Sequence, residues 1–517
     1  MGTAWDPEID ELERRRAMAL ELGGTEKVDR HHEQGRLTVR ERIDLLLDAG
    51  SFREDGTLTG TPTYADGELT NVLPANLVCG RGTIEGRPVV VSGDDFTIRG
   101  GSSDAGIFTK AIYAVRLAVE RRMPLVQLVD GSGGGGGMKV YEQSIYTTTP
   151  PILRDWEHAV TALGTVPVVS MVGGSVAGLG ALKACQSHYS VMVRGTSQVF
   201  AAGPPLVRHT REDVTKEELG GSAVHTRNGV ISDEADDEKE ALQRVRRFLG
   251  YLPSSVFELP PVLECTDPVD RRDEWLADAI PRSARQVFEA RRIIEAVVDE
   301  GSFFEISRLF GRSIVTGLAR LGGRPVAVVA SDPKHYGGGL DAAACQKLRR
   351  FIDMANTFHL PRVGLYDIPG LMIGTRAEAA GTVRFAAETL AAVYQTTIPQ
   401  CVVVLRRFFG LGAAAQVNPN LLSPLYAWPS AEWGSMPFAG GIDAAYRAEL
   451  EASDDPDALR AEIEERFAYA RSPLRAAEKF GVTDILDPRD TRVVLCEFAA
   501  TAYRALEPGK TMTTMRP

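Results

Sequence analysis

Cysteine is scarce and scattered in this chain of 517 residues: Cys79, Cys185, Cys265, Cys345, Cys401 and Cys496 form no CxxC pair. That pattern argues against a zinc ribbon and a disulfide framework, gives no metal site to expect, and makes a reducing cytoplasm the expected location. Positive charge is short as well, 58 Lys and Arg against 69 Asp and Glu for a net −11. Phosphate backbones are repelled by such a balance, so nucleic acid is not an expected partner. An anionic small molecule stays compatible, because a few placed Arg or Lys suffice. No apolar stretch resembling a signal peptide opens the chain, whose first residues include Asp6, Glu8, Asp10 and Glu11. One charge-free run, Ala159 to Leu182, is long enough to cross a bilayer. It contains Pro167, five glycines and four hydroxyl residues, which predict a buried strand followed by a tight loop, and no membrane span is expected.

Nucleophile and phosphate motifs are missing too. Gly173-Gly174-Ser175-Val176-Ala177-Gly178 comes near GxSxG but has Ala where the second glycine belongs. Gly509-Lys510-Thr511 mimics the end of a P-loop, yet Arg504 occupies the first glycine's place and only six residues follow, too few for the helix that a phosphate cradle needs.

What the chain does have is a repeat. Gly86-Arg87-Pro88-Val89 returns as Gly323-Arg324-Pro325-Val326, and at the same distance behind each glycine an Asp closes an apolar run, Leu125 to Asp130 and Val363 to Asp367. Val166-Pro167 and Gly178-Leu179-Gly180-Ala181 are matched, again at equal spacing, by Ile398-Pro399 and Gly410-Leu411-Gly412-Ala413. A DxGSF turn follows an amphipathic stretch twice, at Asp48 to Phe52 and Asp299 to Phe303. Ordered anchors at matched spacing read as two diverged copies of one domain. Length and composition agree, since each half is large enough to bury a core.

Within each half, apolar runs alternate with helical patterns. In the first, Pro88 to Ser92, a helix over Ala105 to Arg121, a strand over Pro124 to Asp130, a helix over Trp156 to Leu163 and a strand over Pro167 to Val172 are predicted. In the second, Pro325 to Ala330 is followed by helices over Asp341 to Phe358 and Ala377 to Tyr394 and strands over Arg362 to Tyr366 and Gln400 to Leu405, with Ala284 to Val298 helical before them. This order predicts an α/β fold with βαβ crossovers and mostly parallel sheets. The domains are expected at 1–252 and 284–517, joined by a Pro-rich linker over 253–283.

Gly410-Leu411-Gly412-Ala413-Ala414-Ala415 fits the loose dinucleotide fingerprint GxGxxA, but its partner copy reads GLGALK and both lie deep inside a domain. A glycine loop that ends a buried strand and opens a helix presents amide N–H groups without intrahelical acceptors. Glycine lets a carbonyl come close to them, which makes an oxyanion hole for an enolate, or else the loops are only tight turns.

Further residues carry a family resemblance. Gly35-Arg36-Leu37-Thr38-Val39-Arg40-Glu41-Arg42-Ile43 with Asp48 to Phe52, Gly195 to Phe200 with Gly203-Pro204, Glu218 to Gly221 with Val224-His225 and Asn228 to Val230, and Asp237-Glu238 resemble the carboxyltransferase β subunits of biotin-dependent acyl-CoA carboxylases. In the second half Gly339 to Asp341, Asp367 to Gly370 with Gly374-Thr375, Ala427 to Pro429 with Ala431-Glu432, and Asp487 to Arg489 with Thr491-Arg492 continue it. The resemblance implies two tandem crotonase-like (ClpP/crotonase) domains related by internal duplication, acyl-CoA bound on the N-terminal side and biotin on the C-terminal side. It implies transfer of CO2 from carboxybiotin to the α-carbon of an acyl-CoA through an enolate, with the active site shared between subunits of a homo-hexamer, a trimer of dimers. The amides of Gly178 and Leu179 would hold the acyl enolate and those of Leu411 and Gly412 the ureido oxygen of biotin. Gly100, Gly101, Ser102, Gly133, Gly134 and Ala414 would contact substrate. Biotin would arrive on a separate carrier protein, part of a biotin carboxylase and carrier α subunit, and coenzyme A as part of the substrate. Met138-Lys139-Val140 lacks the second flanking methionine of a biotin attachment site.

The chain also departs from the family. Where DSGGAR is usual, it has Asp130-Gly131-Ser132 followed by five glycines, Gly133 to Gly137, without the arginine. Where propionyl-type members resemble GGAYD, Ala414 replaces the Asp. Two other readings therefore stand beside the carboxylase subunit: a decarboxylase of malonyl-type thioesters on the same fold, and a non-catalytic assembly protein. His225, His335 and Lys110 are weaker candidates, for a base, a pocket group and a CoA phosphate contact, each set against a structural or solvated role.

Overall fold

Both GRPV strings begin strands of antiparallel hairpins whose two-residue turns are Glu85-Gly86 and Gly322-Gly323. All four turn residues have positive φ, 52° and 77° in the first and 56° and 78° in the second, the conformation of a type I′ turn that matches strand twist. The DxGSF aspartates close these turns. Asp48 accepts the Gly86 N–H at 2.8 Å and the Glu85 N–H at 3.0 Å, while Asp299 accepts those of Gly323 at 2.7 Å and Gly322 at 2.9 Å. Two repeat anchors that are far apart in sequence thus meet in space, in each copy.

The computed structural model describes residues 3–102, 107–132, 156–283, 286–436 and 438–517, which form two units, 1–258 with 515–517 and 259–514. The chain passes from one to the other at Glu258 and Leu259, within the Pro-rich stretch.

In the first unit the strands are β1 (Arg53–Glu54), β2 (Gly60–Ala65), β3 (Glu68–Pro74), β4 (Leu77–Ile84), β5 (Arg87–Asp94), β6 (Leu125–Ser132), β7 (Val168–Ala177), β8 (Tyr189–Val193), β9 (Gln198–Phe200) and β10 (Asp233–Ala235). The second unit has β11 (Phe304–Ile306), β12 (Ile314–Leu321), β13 (Arg324–Ser331), β14 (Arg362–Ile368), β15 (Gln400–Phe409), β16 (Leu425–Ala427), β17 (Glu432–Gly434) and β18 (Asp484–Ile485). The main sheets run β1-β4-β5-β6-β7-β8-β10, with β9 on β7, and β11-β12-β13-β14-β15-β16-β18, with β17 on β15. Pairing is antiparallel as far as β5 and β13 and parallel beyond them. The two sheets therefore share one strand order and one pattern of directions, and each is mixed rather than parallel throughout.

The central strands are buried on both faces, as their apolar runs require of a covered parallel sheet. Val90, Leu125 and Val168 pack with Ala114, Ala118, Ala162 and Leu163 of the helices Phe108–Arg121 and Glu157–Leu163. In the second unit Val326, Val328 and Ala330 alternate onto the helices Ala290–Val297 and Thr491–Ala505. The amphipathic stretch at Thr38 forms the helix Val39–Leu46, closed by a capping box between Thr38 and Glu41. Two expected helices are shorter. Among described residues the one expected over 284–298 begins only at Ala290, after Glu289 with a non-helical ψ of 88°, and the Gln286 carbonyl upstream accepts from Arg406 Nη1 at 2.9 Å. The one expected over 377–394 breaks at Gly381, whose φ of 70° lies in the left-handed region. The run 159–182 forms the end of the helix Glu157–Leu163, then β7, then a turn into another helix. No described helix is long and apolar enough to cross a membrane.

Candidate active site

At the end of β5 and of β13 the chain makes the same left-handed turn. Arg99, Gly100 and Gly101 have φ of 50°, 63° and 67°, and Tyr336, Gly337 and Gly338 have 50°, 61° and 86°. A Cβ on Gly101 would stand 2.3 Å from the Asp130 carbonyl oxygen, and one on Gly338 2.4 Å from that of Asp367. Each turn is thus pressed onto the end of the next strand so closely that only glycine fits. Of the expected substrate contacts, Gly100 and Gly101 lie in this turn, and Ser102 is buried with its carbonyl accepting Asn76 Nδ2 at 2.6 Å. Gly133 and Gly134 lie outside the described residues.

Strands β7 and β15 each run into a glycine of positive φ, Gly178 at 59° and Gly410 at 61°, that opens a short helix, Leu179–Cys185 and Gly410–Ala414. The Gly178 N–H extends the pairing of β7 with β9 and donates to the Phe200 carbonyl at 3.2 Å. This amends the expected donor pair: the amides of the first loop that lack an intrahelical acceptor are those of Leu179 and its successors, since Leu182 is the first to bond back, to the Gly178 carbonyl. In the second loop Ala415 N–H bonds back to the Leu411 carbonyl at 3.0 Å, which leaves the amides of Leu411 and Gly412 without a helical acceptor. Leu411 is 75% exposed, so this loop opens to solvent. Gly412 is buried and closely packed: its Cβ would be 3.0 Å from the Gly370 carbonyl carbon, so even a methyl group would require a neighbour to give way by a few tenths of an ångström. Ala414 is exposed at the last position of that helix.

Beneath each loop lies a fully buried aspartate, Asp130 on β6 and Asp367 on β14. A buried carboxylate needs positive partners, and the two copies find them in different places. Asp130 is bonded by Arg36 and, at 2.8 Å, by Arg42, whose guanidinium also reaches Glu238 at 2.6 and 2.8 Å. Both arginines donate to the Gly173 carbonyl at 3.2 Å, and a Cβ on Gly174 would fall 2.0 Å from Arg36. The near-GxSxG glycines therefore make room for guanidinium groups. Burial works against the charge on Arg42, but Asp130 and Glu238 more than offset it and its pKa is raised. Asp367 takes its partners from β15 itself, Arg406 at 2.8 Å and Arg407 at 2.7 Å to both oxygens. Burial pushes its pKa up, but the hydrogen bonds from Arg407 and Arg406 win and hold it below the usual carboxylate range. In the first unit Lys183, one turn into the loop's helix, also reaches Asp94 at the end of β5 at 3.1 Å.

Of the weaker candidates, His225 and Lys110 resolve toward structure. His225 bonds the Val199 carbonyl at 2.5 Å and Asn228 at 3.3 Å, which ties its helix, Ser222–His225, to β9. Lys110 is neither solvated nor free for a phosphate: it is buried, donating to the Gly56 carbonyl at 3.0 Å beside Glu54 at 3.6 Å. His335 is partly buried, and burial followed by the nearby charge of Arg312 lowers its pKa. Sequence reading missed the roles of Arg36, Arg42, Arg406 and Arg407. The available signal was an Asp ending an apolar strand in both halves, a position where an unpaired charge is costly.

Residues 30–514 match the family model described as the carboxyl transferase domain. The chain belongs to this family. Among its carboxyl transferase relatives, the propionyl-CoA carboxylase carboxyltransferase subunit of Haloferax mediterranei is 35% identical over 491 residues, covering 94% of each chain. The methylmalonyl-CoA carboxyltransferase 12S subunit of Propionibacterium freudenreichii subsp. shermanii is 32% identical over 502 residues, 95% of this chain and 93% of that one. A crystal structure of transcarboxylase 12S, described as a hexamer with methylmalonyl-coenzyme A and methylmalonic acid bound, superimposes with a TM-score of 0.87 at 30% identity, over 100% of this chain and 98% of that one. The carboxyl transferase fold is thus the crotonase-like one, in two tandem copies.

Proposed function

We propose that this chain is the carboxyltransferase component of a biotin-dependent acyl-CoA carboxylase, its first unit binding acyl-CoA and its second the biotin of a separate carrier protein, in a hexameric assembly. The observation that supports it most is the duplicated pair of glycine-led amide loops in a carboxyl transferase chain. Free amides at Leu179 suit the oxygen of a thioester enolate, and those at Leu411 and Gly412 suit the ureido oxygen of biotin. Both oxygens gain negative charge during the reaction, and preset N–H donors stabilise such charge. The second loop fits biotin in a specific respect: it is exposed at Leu411 and carries no side chain at the closely packed Gly412, so a planar ring can reach backbone. When bound, biotin supplies the carboxyl group and a base for the α-proton. The chain contributes orientation and the amide donors, and no side-chain nucleophile is required of it.

The test is incubation of the purified chain with a panel of acyl-CoA and malonyl-type CoA esters, with and without a biotinylated α subunit, followed by mass spectrometry. A gain of one carboxyl group that depends on ATP, bicarbonate and the biotinylated partner is the expected result. Loss of CO2 from malonyl-type esters without biotin would mark a decarboxylase, and no turnover of any ester a non-catalytic member.

A further inference from the structure

Asp130 and Asp367 occupy matched positions, but the arginines that meet them do different mechanical work. Arg36 and Arg42 come from the segment leading into and forming the helix Val39–Leu46, distant in sequence from the amide loop at Gly178. Arg407 comes from β15, the strand that carries its own loop, and stands just before Gly410. Its Nε and Nη2 grip Asp367 at 2.7 Å, its own backbone N–H donates to the same carboxylate at 3.0 Å, and Nη2 continues to the Gly337 carbonyl at 2.6 Å. One side chain therefore ties together the end of β14, the end of β15 and the left-handed turn at 336–338. Arg406 shares Asp367 but turns its Nη1 to the Gln286 carbonyl instead, at 2.9 Å. The acidic residue in register with Arg407 on the neighbouring strand is Glu432 of β17.

We infer that Arg407 is a positioning residue for the second amide loop: by fixing the end of β15 against Asp367 and Gly337 it sets where the amides of Leu411 and Gly412 stand, and so governs acceptance of biotin rather than of acyl-CoA. This rests on the functional reading above. A lysine keeps the charge but cannot reproduce the planar fork that spans a carboxylate and a carbonyl.

The experiment compares the full chain in its native assembly with Arg407→Gln and Arg407→Lys, measuring carboxyl transfer from malonyl-CoA or methylmalonyl-CoA to free biotin and amide hydrogen exchange. Arg407→Gln is expected to lower kcat/KM for free biotin by about tenfold while KM for the CoA ester stays within about twofold, in keeping with the loss of a charge-assisted hydrogen bond. Exchange should quicken in peptides covering 336–340 and 409–415, and Arg407→Lys should recover only part of either effect. Equal losses toward both substrates, unchanged exchange, or full recovery by Lys would overturn the inference. If Arg407→Gln does not fold, Arg407→Lys decides alone: faster exchange in those two peptides supports the inference and wild-type exchange refutes it. If the wild-type chain transfers nothing to biotin, the functional reading fails, while hydrogen exchange still decides whether Arg407 holds the loop.

Discussion

At the scale of single residues, the amide donors are testable because proline deletes an N–H. Leu179 is the first helical residue after Gly178, and Leu411 follows Gly410, whose φ of 61° is not helical. Proline is tolerated at a first helical position, where its fixed φ suits the turn and its missing N–H breaks no helical bond. Leu179→Pro and Leu411→Pro should each lower turnover about 10²-fold, the scale of losing an oxyanion donor, with melting temperatures close to wild type. Turnover near wild type in the folded variants would show that the loops are only turns. Gly178→Pro is a poorer probe, since it breaks the bond to Phe200 and φ there is 59°. Ala414 carries a second prediction. This residue is exposed on its own chain and meets an acyl group only in the proposed site shared between subunits, where a methyl group in place of a carboxylate would leave space and each methylene buried there would add about 0.8 kcal/mol. Ala414→Asp should shift relative kcat/KM toward short acyl groups. Wild-type preference for acetyl or propionyl over longer thioesters, or an unchanged chain-length profile in the variant, would refute it.

At the scale of elements, the hairpin turns depend on the DxGSF aspartates. The pKa of Asp48 is held below its ordinary value, first by the Gly86 N–H and then by the Thr83 hydroxyl, against a partial burial that works the other way. A carboxylate with a depressed folded pKa contributes stability that is complete above its unfolded pKa of about 3.9 and fades as pH falls through the lower folded value. Asp48→Asn should therefore destabilise the chain by about 1.5–3 kcal/mol at neutral pH, the range for hydrogen bonds to a charged group. The difference from wild type should shrink below about pH 4. Thermal unfolding of both proteins from pH 7 downward measures it, and a gap that stays constant to the lowest pH would rule out the carboxylate as its source.

At the scale of the whole molecule, each unit supplies one loop, and the transcarboxylase 12S structure that superimposes on this chain is described as a hexamer. The chain of 56.0 kDa should run as a closed assembly of several copies in light scattering. A fully active monomer would refute a shared site. The repeat that announced two domains is carried into identical sheet orders, but the copies have diverged in what lies under the loops. In one, the partners of the buried Asp lie before the sheet in sequence, and in the other they lie on the loop-bearing strand.

What was legible beforehand was local or periodic. Apolar runs located the central strands β5, β6 and β7 and their counterparts β13, β14 and β15 because burial on two faces demands them, whereas the shorter parallel strands beyond them were not located, and the glycines marked turns because left-handed φ excludes side chains. Those signals reside in a few neighbouring residues and survive duplication. The antiparallel strands β4 and β12 escaped notice, as did the pairing of Asp48 with Gly86 and of Asp299 with Gly323, because they depend on segments meeting after the chain has folded. Only the tertiary structure decided that Phe200 takes the Gly178 amide, since that depends on β9 returning beside β7. It also decided which arginines answer each buried aspartate: a charge buried at a strand end requires a partner, but any guanidinium that folding brings within about 3 Å satisfies it.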